Sequence, residues 1–300
     1  MQLQQGRVDL HVHTTASDGS LTPAEVVQLA LEQGLAAIAL TDHDTVAGLA
    51  EAWAAANGTG LEIVPGVEIS SDWPVGDFHI LGLDVDPWDG PFNECLESMR
   101  AARLQRARKM LERLAALGMP LEWDEVVRFC NGNCAIGRLH IARAMVHRGY
   151  VSDVLQAFQR YIGRDGPAYV PRLRMTPVEV IGLIRRAGGV AVLAHPAASG
   201  VVEHIPTLAS LGLQGVEVWY PTHSPEDVRT LLRLARQYHL LVTGGSDFHG
   251  PGSGAGAPLG SVNIPLRLLR KLQRAAEPAR QPEERPVFAT LPPFPSFRGG

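Results

Sequence analysis

The sequence predicts an α/β fold with a parallel sheet and helices outside, closed as a barrel or left as an open doubly wound sheet. Three observations carry this. Apolar strand-like runs alternate with helix-like segments over the first ninety residues, and the alternation returns from about residue 175. Histidines and carboxylates fall again and again in the apolar runs or just after them. In such folds, sites gather at the carboxyl ends of the strands.

The elements can be justified in order. "RVDLHVH" (residues 7–13) reads as a strand. Thr22, Pro23 and Glu25 spell a capping box with proline at the first helical position, so a helix starts there. "LAAIALT" is a second strand, and "VAGLAEAWAAAN" is an alanine-rich helix that Gly58 can stop. "LEIVPGVEIS" and "DFHILGLDV" are two more strands. Later, Thr176, Pro177 and Glu179 repeat the cap ahead of "VEVIGLIRRAGG". The strand "VAVLA", a weak helix and the strand "GVEVW" follow. Ser224, Pro225 and Asp227 open a further helix to about His239, and "LLVTGG" is the last strand.

The middle is different. From about Phe92 to Arg174 the pattern is almost wholly helical, with one long amphipathic segment, "MRAARLQRARKMLERLAALG", and three shorter ones. This predicts residues 1–91 and 175–276 as the α/β part, residues 92–174 as an inserted all-helical domain rich in arginine, and residues 277–300 as a tail. The tail holds six prolines and no periodicity, so it is expected to be extended.

Composition limits the function classes. A formal net charge of −4 argues against nucleic-acid binding through bulk charge. No apolar run approaches the ~20 residues of a membrane span, and no signal peptide precedes the first strand. The cytoplasm is the expected compartment. The three cysteines, Cys95, Cys130 and Cys134, have no framework spacing and read as free thiols.

The chemistry sits at the strand ends. His11 and His13 lie two apart on a strand and so share a face, while Leu10 and Val12 face the other way. One such pair means little, but the pattern repeats. "LTDHDT" places Asp42, His43 and Asp44 after the second strand. Glu68 in "PGVEIS" and His79 in "DFHILGL" lie inside apolar strands, His195 ends another, and Asp247 and His249 follow the last. Burying each of these groups without a partner is costly, whereas shared divalent cations satisfy all of them together.

The set "DLHVHTTASDG", "LTDHDT", "PGVEIS", "HILG", "AHP" and "GSDFHG" resembles the polymerase and histidinol phosphatase (PHP) family of metal-dependent phosphoesterases, with the motifs in the family's order. The resemblance implies a distorted seven-stranded (β/α) barrel holding three divalent metal ions, with manganese favoured over zinc or iron. By motif, it implies that His11, His13, Glu68 and Asp247 hold one ion. Glu68 bridges to a second, completed by His79 and His195, and Asp18, His43 and His249 hold the third. Many members have a histidine where this chain has Asp18, so the third site's metal preference can differ.

The same resemblance implies a metal-bridging hydroxide held by Glu68 as the catalytic group, with the general acid unassigned. Asp44 and His223, in "WYPTHSPED", are candidates. Within the family, "IGRLHIARAMVHRG" and "YIGRDGPAYVPR" in the insert resemble the nucleoside 3′,5′-bisphosphate phosphatases and 5′→3′ exoribonucleases. That implies a nucleoside 3′,5′-bisphosphate or short RNA as substrate, with no DNA sequence recognition, membrane or protein partner. Arg138, His140, Arg164 and His223 are the expected substrate contacts, with Arg143 and Arg172 as further donors and Tyr169 or Phe158 as stacking surfaces. A histidinol-phosphate phosphatase, a non-catalytic structural module and an amidohydrolase are the alternatives. The last often needs a lysine, and the chain's two lysines, Lys109 and Lys271, follow no strand.

Overall fold

The computed structural model describes residues 6–73, 76–129, 136–171, 175–251 and 256–276. Arg172, Cys130, Cys134 and the expected tail lie outside the described residues.

The first half of the chain runs β1 (Arg7–Val12), α1 (Pro23–Glu32), β2 (Leu35–Leu40), α2 (Leu49–Ala56), β3 (Glu62–Trp73) and β4 (Gly76–Leu83). Then come α3 (Gly90–Ala116), α4 (Trp123–Val127), α5 (Arg138–His147), α6 (Val154–Ala157) and a π-helical turn (Phe158–Ile162). The second half runs α7 (Pro177–Arg186), β5 (Val190–Leu193), α8 (Ile205–Ser210), β6 (Gly215–Trp219), α9 (Pro225–Gln237), β7 (Leu241–Gly244), β8 (Ile264–Pro265) and α10 (Leu266–Ala275). All three sequence-read caps form: Thr22, Thr176 and Ser224 each accept the backbone N–H of the third helical residue, and Glu25, Glu179 and Asp227 return the bond.

The sheet departs from the expectation in two ways. Eight strands form it among the described residues, not seven, in the order β7-β6-β5-β4-β3-β2-β1-β8. The eighth is only two residues long and pairs antiparallel with the start of β1, too short to leave a periodic signal. Nor is the sheet wholly parallel. β4 runs antiparallel to both β3 and β5, because β3 and β4 follow one another directly and no crossover helix separates them. The remaining main pairs are parallel.

The sheet curls until its ends almost meet. β7 and β1 share no ladder, but Val12 bridges Phe248, and His13 N–H donates to the Phe248 carbonyl at 2.9 Å. The approach there is close: a Cβ on Gly245 would lie 2.3 Å from the His11 Cβ, so only glycine fits. Asp9, fully buried, accepts Ser246 N–H at 2.9 Å and Gly260 N–H at 2.8 Å and holds the two edges together.

One apolar layer joins the sheet to α1, α2, α7, α8 and α9. Val180, Ile181 and Ile184 of α7 are fully buried there, each contributing about 1.5–3 kcal/mol. A second joins Val8, Leu10, Ala39, Val64 and Leu81 to Leu268, Leu269 and Leu272 of α10. The helices between β4 and α7 have a cluster of their own, including Met110, Leu114, Val126, Ile141 and Met145. α3 spans both regions, since its first turns bury Phe92 and Leu96 against the barrel. Among the described residues no helix is long and apolar enough to cross a membrane.

Candidate metal centre

The carboxyl ends of the parallel strands converge. His11 and His13 come from the end of β1, Asp18 from the loop after it, His43 from the loop after β2, Glu68 from β3 and His79 from β4. His195 follows β5, and Asp247 and His249 follow β7. The ligand atoms form three groups, each within 4.8 Å: His11, His13, Glu68 and Asp247; Glu68, His79 and His195; and His13, Asp18, His43 and His249. These are the groups implied by sequence, with His13 now reaching the third as well.

Glu68 is the hub. Its Oε2 faces His11 Nε2 at 3.4 Å, His13 Nε2 at 3.1 Å and His43 Nδ1 at 3.3 Å. Its Oε1 faces a different pair, His79 Nδ1 at 2.8 Å and His195 Nε2 at 3.2 Å. Asp247 Oδ1 stands 3.2 Å from both His11 Nε2 and His13 Nε2. Asp18 Oδ1 lies 3.3 Å from His249 Nε2, and Asp18 Oδ2 lies 3.8 Å from His43 Nε2.

These residues fit divalent ions. His11 Nε2, His13 Nε2 and His43 Nδ1 are buried and find no hydrogen-bond partner among the described residues, although carboxylate oxygens stand within 3.1–3.4 Å. Ring nitrogens and carboxylates crowded together without hydrogen-bond geometry are what a shared cation resolves. The donor set, imidazole and carboxylate without thiolate, suits manganese, zinc or iron.

The electrostatics agree. Burial alone would raise the Glu68 carboxyl, but the imidazoles of His43, His79 and His11 hold it well below its ordinary range. Burial opposes a proton on His13, yet its contacts with Asp247 and Glu68 outweigh this and push it up to about 10. Burial wins at His43, which is pulled down to about 3.

The backbone at these strand ends is unusual. Asp44, His195 and Asp247 have φ of 54°, 31° and 53°. Left-handed backbone costs a non-glycine residue roughly 1–3 kcal/mol, so surrounding bonds must hold it there.

Some supporting residues were not foreseen. Glu217, on β6 and fully buried, stands 3.2 Å from His11 Nδ1 and accepts His195 N–H at 2.8 Å. Tyr220 Oη donates to Asp247 Oδ2 at 2.9 Å. Asp42, which the sequence had already placed beside His43, accepts Thr14 N–H at 2.8 Å and Ser17 Oγ–H at 2.6 Å, fixing the loop that carries Asp18. A signal for Glu217 existed: it is an acid inside the apolar run "GVEVW", like Glu68 in "GVEIS".

The expected substrate contacts are spread more widely. His140 on α5 is buried, and its Nδ1 accepts Gly137 N–H at 3.0 Å. Burial pulls it down to about 4, with the charge of Asp18 acting the other way. Arg138 is half-buried, its guanidinium 5.3 Å from the Phe158 ring centroid and 5.9 Å from that of Tyr169. Arg143 is half-buried on the same helix, and Arg164 is exposed. His223 packs by Tyr220, with ring centroids 5.2 Å apart, and donates from Nδ1 to the Val218 carbonyl at 3.0 Å. Asp44 is held by α3: Arg103 pairs with its carboxylate, and Arg100 donates to its carbonyl at 2.8 Å.

Strand ends that gather imidazoles and carboxylates into adjoining clusters define a class, the barrel proteins built to hold divalent ions. The chain belongs to the PHP domain family, which matches residues 9–121. It is 39% identical to a 3′,5′-nucleoside bisphosphate phosphatase of Chromobacterium violaceum, over 90% of this chain and 96% of that protein. It is 37% identical to the 5′-3′ exoribonuclease Rnm of Salmonella typhimurium, over 81% of this chain and 85% of that protein. A solved structure from Bifidobacterium adolescentis, assigned to the metal-dependent phosphoesterases, superposes with a TM-score of 0.81 at 34% identity, covering 90% of this chain and 96% of that one.

Proposed function

We propose that the chain is a metal-dependent phosphoesterase that removes the 3′-phosphate of nucleoside 3′,5′-bisphosphates, and that it also trims short 5′-phosphorylated RNA from its 5′ end. The observation that carries the reading is Glu68, whose two oxygens face two different sets of imidazoles. That arrangement suits a bridge between two ions, and the Asp18 group supplies a third. All nine sequence-read positions stand together, which argues against a structural module without catalysis. Manganese is the first choice of ion.

Bound ions supply the pull on phosphoryl oxygens and the acidified water that hydrolysis requires. The chain's own residues do the rest. Glu68, Asp247 and Asp18, with the imidazoles around them, would hold the ions. Asp42 and Ser17 hold the Asp18 loop in place, and Tyr220 holds Asp247. Water adds to phosphorus, the bond from phosphorus to the 3′ oxygen breaks, and that oxygen takes a proton. The products are phosphate and a nucleoside 5′-monophosphate. In RNA the same phosphorus carries the next nucleotide, so the same cut releases a 5′-mononucleotide and leaves a shortened RNA with a 5′-phosphate in place of free phosphate.

Residues 92–174 act in this reading as an inserted substrate-recognition domain. Arg138 and His140 start α5, the charge of Asp18 acts on His140, and Arg138 is steadied by the rings of Phe158 and Tyr169. Arginine there, with Arg143 and Arg164 as further donors, suits a 5′-phosphate held away from the ions. His223 completes the substrate contacts from the barrel side.

The test is a comparison of phosphate release from adenosine 3′,5′-bisphosphate, 5′-phosphorylated RNA, histidinol phosphate and a simple aryl phosphate, with and without chelator. The bisphosphate and RNA turn over and chelator stops them. Arg138→Ala lowers kcat/KM on the bisphosphate by ~10-fold or more, since a charge-assisted bond is worth about 1.5–3 kcal/mol. It leaves the aryl phosphate nearly unchanged. Equal losses on both would remove Arg138 from the substrate site.

A further inference from the structure

β6 contributes no residue to the three candidate metal groups, although it lies between β5 and β7 in the sheet. Its buried acid, Glu217, nevertheless touches two of them. One carboxylate oxygen, Oε1, lies 3.2 Å from His11 Nδ1, with Oε2 at 3.4 Å from the same nitrogen. The other, Oε2, accepts the backbone N–H of His195 at 2.8 Å. His11 belongs to the group with His13, Glu68 and Asp247, and His195 to the group with Glu68 and His79.

We propose that Glu217 is a positioning residue that fixes the ligating face of His11 and the backbone of His195 at once, tying two metal groups to a strand that supplies no ligand. The inference rests on the metal-centre reading above. A carboxylate only accepts, so His11 must carry its proton on Nδ1 when it faces Glu217. The bare nitrogen is then Nε2, which points at Glu68 and Asp247. His195 sits at φ 31°, a backbone setting that needs an outside hold, and the bond from its N–H to Glu217 is such a hold. Two donors converge on one side chain: Oε2 takes the His195 N–H, and His11 Nδ1 has Oε1 as its nearer acceptor and Oε2 as its farther one.

That convergence makes Glu217→Gln informative. Glutamine keeps the shape but has a single accepting oxygen. If its oxygen serves His195, its amide N–H₂ faces His11 and donates to Nδ1, which moves the ring proton to Nε2 and turns the ligating nitrogen into a donor. If its oxygen serves His11, two N–H groups collide at His195. Either way one of the two groups is spoiled, while the group of His13, Asp18, His43 and His249, which Glu217 does not touch, is spared.

Three measurements test this on the full chain. The first is metal content against free manganese concentration, by mass spectrometry, for wild type and Glu217→Gln. The second is the thermal midpoint of the metal-free proteins. The third is the His11 ring-proton position in the zinc-loaded proteins, from long-range 15N–1H couplings. The expected result is weaker binding of up to two ions in the variant by ~10- to 100-fold, as for other groups that orient a ligand from behind. One ion keeps wild-type affinity. In zinc-loaded wild type, the His11 proton lies on Nδ1. Unchanged binding of all ions by Glu217→Gln overturns the proposal, as does a wild-type His11 proton on Nε2. The latter needs no variant, so a Glu217→Gln chain that failed to fold would not remove the test. Wild type that holds no metal would overturn the metal-centre reading as well, which separates that failure from this one.

Discussion

Metal ions and protons compete for the same ring nitrogens here. In the metal-free chain His13 is pushed up to about 10, and His11 and His195 are also raised; burial opposes this, and the carboxylates of Asp247, Glu217 and Glu68 outweigh it. At pH 7 His13 therefore holds a proton that an incoming ion must displace, whereas His43, pulled down to about 3, holds none. Metal affinity should rise with pH above neutrality, by about tenfold per unit for each proton that leaves per ion. Titrating manganese into weakly buffered protein with a pH indicator should acidify the solution, and a flat reading would contradict the assignment. Glu68→Ala should cost more than any supporting residue, at least ~100-fold in kcat/KM, because it removes a shared ligand rather than a group behind one. Parallel metal analysis should show two groups impaired. At this scale the sequence was most readable where a polar residue breaks an apolar strand, as with Glu68 and His79. Asp9 and Glu217 carry the same mark, but they lie behind ligands, and nothing local distinguishes a ligand from the residue that orients it.

Helix starts were legible for a related reason: a capping box is written within four residues. Thr176 accepts Glu179 N–H, and the Glu179 carboxylate accepts Thr176 N–H at 2.7 Å, ahead of a helix that buries Val180, Ile181 and Ile184. Thr176→Ala should lower stability by about 0.5–2 kcal/mol in chemical denaturation while metal content stays at the wild-type level. A loss of metal would mean that α7 does more than pack on the sheet. Pairing direction was not legible, because β4 runs antiparallel only through its partners β3 and β5, and β5 is more than a hundred residues away in sequence. The short β8 and the helix α10 were missed for a similar reason. They are defined by where Leu268, Leu269 and Leu272 dock, and "PLRLLRKLQRA" lacks a cap to announce its start.

For the whole molecule, the three apolar clusters predict how it comes apart. Leu114 is fully buried in the cluster of the central helices, and Leu114→Ala should cost about 2–5 kcal/mol. Hydrogen exchange should speed up mainly in α3, α4 and α5, with the strands protected and the ions retained. Equal acceleration in β1–β3 would show that the central helices and the barrel open as one. The closing edge of the barrel carries a different consequence. β1 and β7 are not laced by a ladder, and the groups that face each other across that gap are His11 and His13 on one side and Asp247 and His249 on the other. Ions held there would act as stitches along a seam where β1 and β7 form no ladder, so the same atoms would serve as cofactor and as fastening. Stripping them should make the barrel breathe first at Phe248 and His13, and heat resistance should then follow the metal supply as closely as catalysis does.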